Sequence, residues 1–188
     1  MDLKKYEYWF IVGSQYLYGD ETLKQVAEHA RIMADEFNRD PRLLGTVLLK
    51  PTAITPQAIR SLFEEANASK NCAGIITWMH TFSPSKMWIQ GLALNRKPLL
   101  HLHTQFNRDI PWASIDMDFM NLNQSAHGDR EHGHIQARMR LCRKVVAGFW
   151  QDRELRRRMG VWMRAAAARK DGMDSTVLRL GDNMREVA

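Results

Sequence analysis

The densest chemistry in this sequence is the run His127-Gly128-Asp129-Arg130-Glu131-His132-Gly133-His134. On a helix, His127, Glu131 and His134 fall at i, i+4 and i+7, so two imidazoles and a carboxylate share one face. Such a donor set can hold a divalent transition metal, or move protons near neutral pH, where histidine changes charge. The same residues also read as a plain polar helix start, with Asp129 and Glu131 favouring the positive end of the helix dipole. His101-Leu102-His103 is read on a strand as two imidazoles pointing apart, and is set aside as a site. Five short segments are also rich in amides, hydroxyls and aromatic rings: Gly13 to Gly19, Lys50 to Thr52, His80 to Ser83, His103 to Phe106 and Gly181 to Met184. Their amides, hydroxyls, imidazoles and rings suit a sugar, with polar groups for its hydroxyls and ring faces for its C–H patches. Gly13 and Gly19 fit neither a dinucleotide fingerprint nor a phosphate loop.

These segments must be positioned by regular elements. Apolar runs at Tyr8–Val12, Thr46–Leu49, Cys72–Trp78, Pro98–His103, Val145–Gly148 and Val177–Leu180 read as strands. Between them lie amphipathic helices. One follows Asp20, with Leu23, Val26, Ala27, Ala30, Met33 and Phe37 inward. Another is capped by Thr55-Pro56, and a third is opened by Ser83-Pro84 with Trp88, Leu92 and Ala93 inward. Further helices cover about Ser125 to Arg140 and the stretch after Asp152. The segment from Thr104 to Gln124 is a long polar loop, a feature that usually serves function. Strand–helix alternation with apolar, non-alternating strands predicts a single domain over 1–188: a three-layer, doubly wound α/β sheet of the Rossmann or flavodoxin-like kind. In such a sheet the polar segments all fall at the carboxyl ends of strands, where ligands bind.

Composition narrows the classes. The 188 residues are 45% hydrophobic and 26% charged, which excludes a disordered chain. No apolar run reaches the roughly 18 residues of a membrane span, and the start lacks a signal-peptide pattern. Cys72 and Cys142 read as separate buried thiols, so a soluble cytoplasmic protein is expected. The net charge of +6 is uneven: residues 1–129 hold 13 Lys and Arg against 14 Asp and Glu, and residues 130–188 hold 14 against 7. With no aromatic platform beside them, basic clusters such as Arg153-Arg156-Arg157-Arg158 read as a solvated helix face or a subunit contact, not as a nucleic-acid surface.

Several motifs are distinctive in themselves: Gly13-Ser14-Gln15-Tyr16-Leu17-Tyr18-Gly19, Trp78 to Trp88, His103-Thr104-Gln105-Phe106-Asn107, Ile115 to Gln124, Trp150-Gln151-Asp152 and Gly181 to Ala188. Along the whole chain they resemble bacterial L-arabinose isomerase. The resemblance implies reversible conversion of L-arabinose to L-ribulose, with D-galactose as a second substrate. It matches Gln15, Leu17, Phe82, Gln124, His127 and Met184 to positions that line the sugar pocket. It also implies Mn²⁺ and a catalytic glutamate pair, held with two histidines in a later portion that has no match here. No cofactor or metal ligand is therefore assigned within this chain. Acid–base work falls by default to His127, with Glu131, Asp182 or Glu186 as partner, and activity is expected to be weakened. The alternative is a sugar-binding or subunit-assembly domain without turnover. The family pocket is shared between subunits, which implies a homo-oligomer, and the family usually has Phe where this chain has His132 and His134.

Overall fold

Five of the apolar runs become strands of one parallel sheet in the computed structural model, which describes residues 5–173 and 175–181. The strands are β1 (Glu7–Gly13), β2 (Thr46–Leu49), β3 (Cys72–Met79), β4 (Leu99–His103) and β5 (Lys144–Ala147). They pair in the order β2-β1-β3-β4-β5, all parallel. The chain winds one way from β1 to β2 and the other way from β3 onward, as a doubly wound sheet requires. The helices are α1 (Gly19–Arg39), α2 (Pro56–Ala68), α3 (Ile89–Leu94), α4 (Met117–Leu122), α5 (Ser125–Arg138) and α6 (Arg153–Met173).

Successive strand residues face opposite sides, which divides the core in two. Tyr8, Phe10 and Val12 pack with Val26, Met33 and Phe37 of α1 and Leu155, Met159 and Met163 of α6. Trp9 and Ile11 pack with Ile59 and Phe63 of α2, Trp88 and Leu92. That is the expected three-layer arrangement. Thr55 caps α2 as its sequence predicts, its Oγ1 accepting from the Ala58 amide at 3.1 Å.

Four expectations are corrected. Val177, Leu178 and Leu180 form no strand and are 91%, 81% and 88% exposed, because the segment leaves α6 without pairing with either edge strand, β2 or β5. Ser83 does not cap a helix: its Oγ accepts from the Trp88 indole at 3.0 Å, and a 3₁₀ turn over Ser85–Trp88 precedes α3. Arg156 is not a solvated charge. It is 9% exposed, with Nη1 3.3 Å from Asp40 and Nη2 3.8 Å from Glu36. Of the two thiols only Cys72 is buried, while Cys142 is exposed. Among the described residues no helix is long and apolar enough to cross a membrane.

Candidate functional site

The carboxyl ends of β1 and β3, where the winding reverses, are the first place to look for a ligand. Here they are closed. Thr81 Oγ1 donates to Ser14 Oγ at 2.7 Å, and both side chains are buried. Gly13 leaves no room for even a methyl group, since an added Cβ would come within 2.5 Å of Met79 Sδ and 2.7 Å of Trp88. His80 follows, stacked on Trp78, with Nε2 2.7 Å from Nδ1 of His29. Burial, with His29 beside it, pushes the His80 imidazole down to about 3, so it is neutral at pH 7.

The open space lies one strand further along, between the β4–α5 connection and the start of α5. A cavity of about 470 Å³ is lined by Gln105, Asn107, Phe119, Asn123, Gln124 and His127, with other residues of the connection. Its size falls within the range of about 300–1,000 Å³ usual for small-molecule sites. The Gln124 amide donates to the His80 carbonyl at 3.0 Å, tying this wall to the end of β3. The Gln124 carbonyl accepts from the amides of His127 and Gly128, which sets the first turn of α5. Gly128 lets that turn approach β3: a Cβ there would lie 3.0 Å from Met79 Cβ and 3.1 Å from the Thr81 carbonyl. His127 is exposed and stacks on Phe82, with centroids 4.3 Å apart and planes 14° from parallel. Gln124 and His127 therefore share this cavity, while Phe82 meets His127 by stacking but does not itself line the cavity. Gln15 and Leu17 are not part of this cavity, and Leu17 is 83% exposed at the end of β1. Asp182, Met184 and Glu186 lie outside the described residues.

His127, Glu131 and His134 do share a groove on α5, with Ala126 and Arg130, of about 510 Å³. They do not form a metal cage. Among the described residues, the trio whose ligand atoms approach within 4.8 Å of one another is His101, His103 and Asp129. The reading of His101 and His103 as pointing apart is thus wrong. Strand side chains repeat every second residue, so positions 101 and 103 share a face, and their ring centroids are 6.1 Å apart. The sequence signal was present in the i, i+2 spacing. The third member, Asp129, comes from α5 and is brought in only by the packing of that helix on the sheet. The manganese implied by the family needs a pair of glutamates with a pair of histidines, and no such group occurs among the described residues. This chain does not fit that ion, and no step is derived through it.

A larger cleft, about 660 Å³, opens at the opposite, amino ends of β4 and β5. Arg96, Lys97, Arg143, Lys144 and Arg169 wall it, which locates part of the excess positive charge away from the sugar-like segments.

Comparison with known proteins agrees with this geometry. The family model described as the L-arabinose isomerase N-terminal domain matches residues 2–174. An L-arabinose isomerase of Thermotoga neapolitana is 62% identical over 188 residues, which is 100% of this chain and 38% of that protein. One from Geobacillus thermodenitrificans is 62% identical with the same coverage. One from Anoxybacillus flavithermus is 61% identical over 186 residues, 99% of this chain and 37% of that protein. The chain thus spans less than two fifths of the length of these curated relatives. A parallel five-stranded sheet, a pocket at its carboxyl edge and a match across almost the whole chain lead to one assignment: the chain belongs to the L-arabinose isomerase N-terminal domain family.

Proposed function

We propose that this chain acts in the interconversion of L-arabinose and L-ribulose by supplying one wall of the sugar pocket, and that its own turnover is weak. The observation that carries the reading is a cavity of pentose-accommodating size lined by Gln124 and His127, with Phe82 stacked on His127. An aromatic face takes up sugar C–H groups, and a planar amide beside it takes up hydroxyls. Aldose–ketose isomerisation moves a proton between C2 and C1, with a base at the carbon and an acid at the oxygens. His127 is the group here able to take and return that proton. Glu131, in the same groove, is the partner supported by proximity, while Asp182 and Glu186 keep that role only as sequence expectations.

The rival reading, a pocket wall without turnover, has an observation of its own. Ile110, Trp112, Met117 and Met120 are 47%, 79%, 64% and 49% exposed along the β4–α5 connection. Ile110 and Met120 also line the cavity. Exposed apolar groups crowded along the rim of this pocket suit cover by a second polypeptide, in keeping with a pocket shared between subunits. A ketose assay on purified protein, with and without chelator, separates the two. Slow, chelator-resistant ketose formation that His127→Ala abolishes supports turnover on this chain. No ketose above a buffer control leaves the binding wall as the function.

A further inference from the structure

The end of β4 and the first turns of α5 enclose a donor set that the sugar reading does not use. His101 is 1% exposed, Asp129 is 1% exposed, and His103 is half-buried beside a cleft of about 280 Å³ lined by Thr104, Gln105 and Gly148. One nitrogen of each histidine and one carboxylate oxygen lie within 4.8 Å of one another. His101 Nε2 is 3.4 Å from Asp129 Oδ1, yet the two form no hydrogen bond, and Asp129 Oδ2 also has no partner. Buried polar atoms of this kind are costly unless something satisfies them. The outer contacts are those of a ligand set. His101 Nδ1 sits 3.3 Å from Thr77 Oγ1, which leaves Nε2 facing Asp129, and Asp129 Oδ1 accepts from the Met79 amide at 2.9 Å.

We propose that His101, His103 and Asp129 bind a divalent transition cation, Zn²⁺ foremost, which pins the carboxyl end of β4 to the start of α5. Two imidazoles and one carboxylate favour Zn²⁺ or Co²⁺ over Mg²⁺ and Ca²⁺, which prefer all-oxygen sites. Around a tetrahedral ion with bonds of about 2.1 Å, ligand atoms stand about 3.4 Å apart. The His101–Asp129 separation already has that value, and His103, the least buried of the three, closes the remainder. A fourth position faces the small cleft. Burial lowers the pKa of both imidazoles, with Arg130 adding to the shift at His103, and raises that of the Asp129 carboxyl, so cation binding here would release the Asp129 proton. The site adjoins the sugar wall, since the cleft beside His103 and the sugar cavity share Gln105, Asn107, Arg108 and Ala126, but Phe82, Gln124 and His127 supply none of its ligand atoms.

The test is titration of Co²⁺ into metal-stripped protein, read by visible absorption, followed by displacement with Zn²⁺ and thermal melting of each form. The expected result is a saturable band of a tetrahedral Co²⁺ centre, its loss on adding Zn²⁺, and a higher melting temperature with either ion. His103→Gln, at a half-buried position, should weaken Co²⁺ binding by at least roughly tenfold. Asp129→Asn serves as a second variant where it folds. His134→Ala should leave the titration unchanged. Absence of a saturable band, unaltered binding by His103→Gln, or loss of binding in His134→Ala would each overturn the assignment.

Discussion

His132 is wholly buried, edge-on to Trp88 and 5.1 Å from the His101 ring, and neither of its nitrogens has a hydrogen-bond partner. A phenyl ring would keep the aromatic contact and remove two unsatisfied polar atoms. His132→Phe should therefore stabilise the fold by about 1–2 kcal/mol, readable from chemical denaturation. His80 makes a second prediction. Its folded pKa, about 3, lies below the unfolded value of roughly 6.5. Its contribution is thus fully present above pH 6.5 and is lost as pH falls towards the folded value, by about 2 kcal/mol at pH 5. The titratable neighbour facing it is His29 from α1, itself half-buried and lowered mainly by burial. Melting curves from pH 7 to pH 5 should show the decline, and His80→Gln should flatten it. An equal slope in that variant would assign the acid sensitivity elsewhere. At this scale residue types alone pointed only to polar segments at strand ends, and Phe82, Gln124 and His127 were singled out through the family resemblance. The His101–His103–Asp129 cluster could not be read fully, since nothing local joins Asp129 to β4.

Helices and strands were the more legible level. Apolar runs placed five strands: the central β1, β3 and β4 are buried on both sides, while the edge strands β2 and β5 are largely exposed and were found by composition alone. Val177-Leu178-Arg179-Leu180 has the same composition but pairs with neither edge strand, which composition alone does not reveal. The Ser83-Pro84 pair failed in another way: a cap signal is local, whereas the Ser83 hydroxyl is used by the Trp88 indole. The closure of the β1–β3 end rests on a backbone approach that only glycine permits at position 13. Gly13→Ala should cost about 1–3 kcal/mol by overpacking against Met79, Trp88 and Ser83. Its melting temperature should fall, while Gly133→Ala, where a Cβ meets nothing within 4 Å, should not lower it. Equal melting temperatures would show that the β1–β3 end yields more readily than the packing implies.

At the scale of the molecule, the exposed apolar rim from Ile110 to Met120 favours company. Self-association is the expected outcome in light scattering at high concentration, and a lone particle of 21.8 kDa would count against it. Trp112→Ser, at a side chain 79% exposed, should shift the equilibrium towards the monomer without unfolding the sheet. The sugar wall itself is tested most directly by calorimetric titration of L-arabinose into the wild type and Gln124→Ala. Losing one hydrogen bond to a neutral hydroxyl costs about 1 kcal/mol, so the variant should bind roughly fivefold more weakly with its melting temperature retained. Equal affinity of the two proteins for L-arabinose would contradict the placement of the sugar against Phe82, Gln124 and His127.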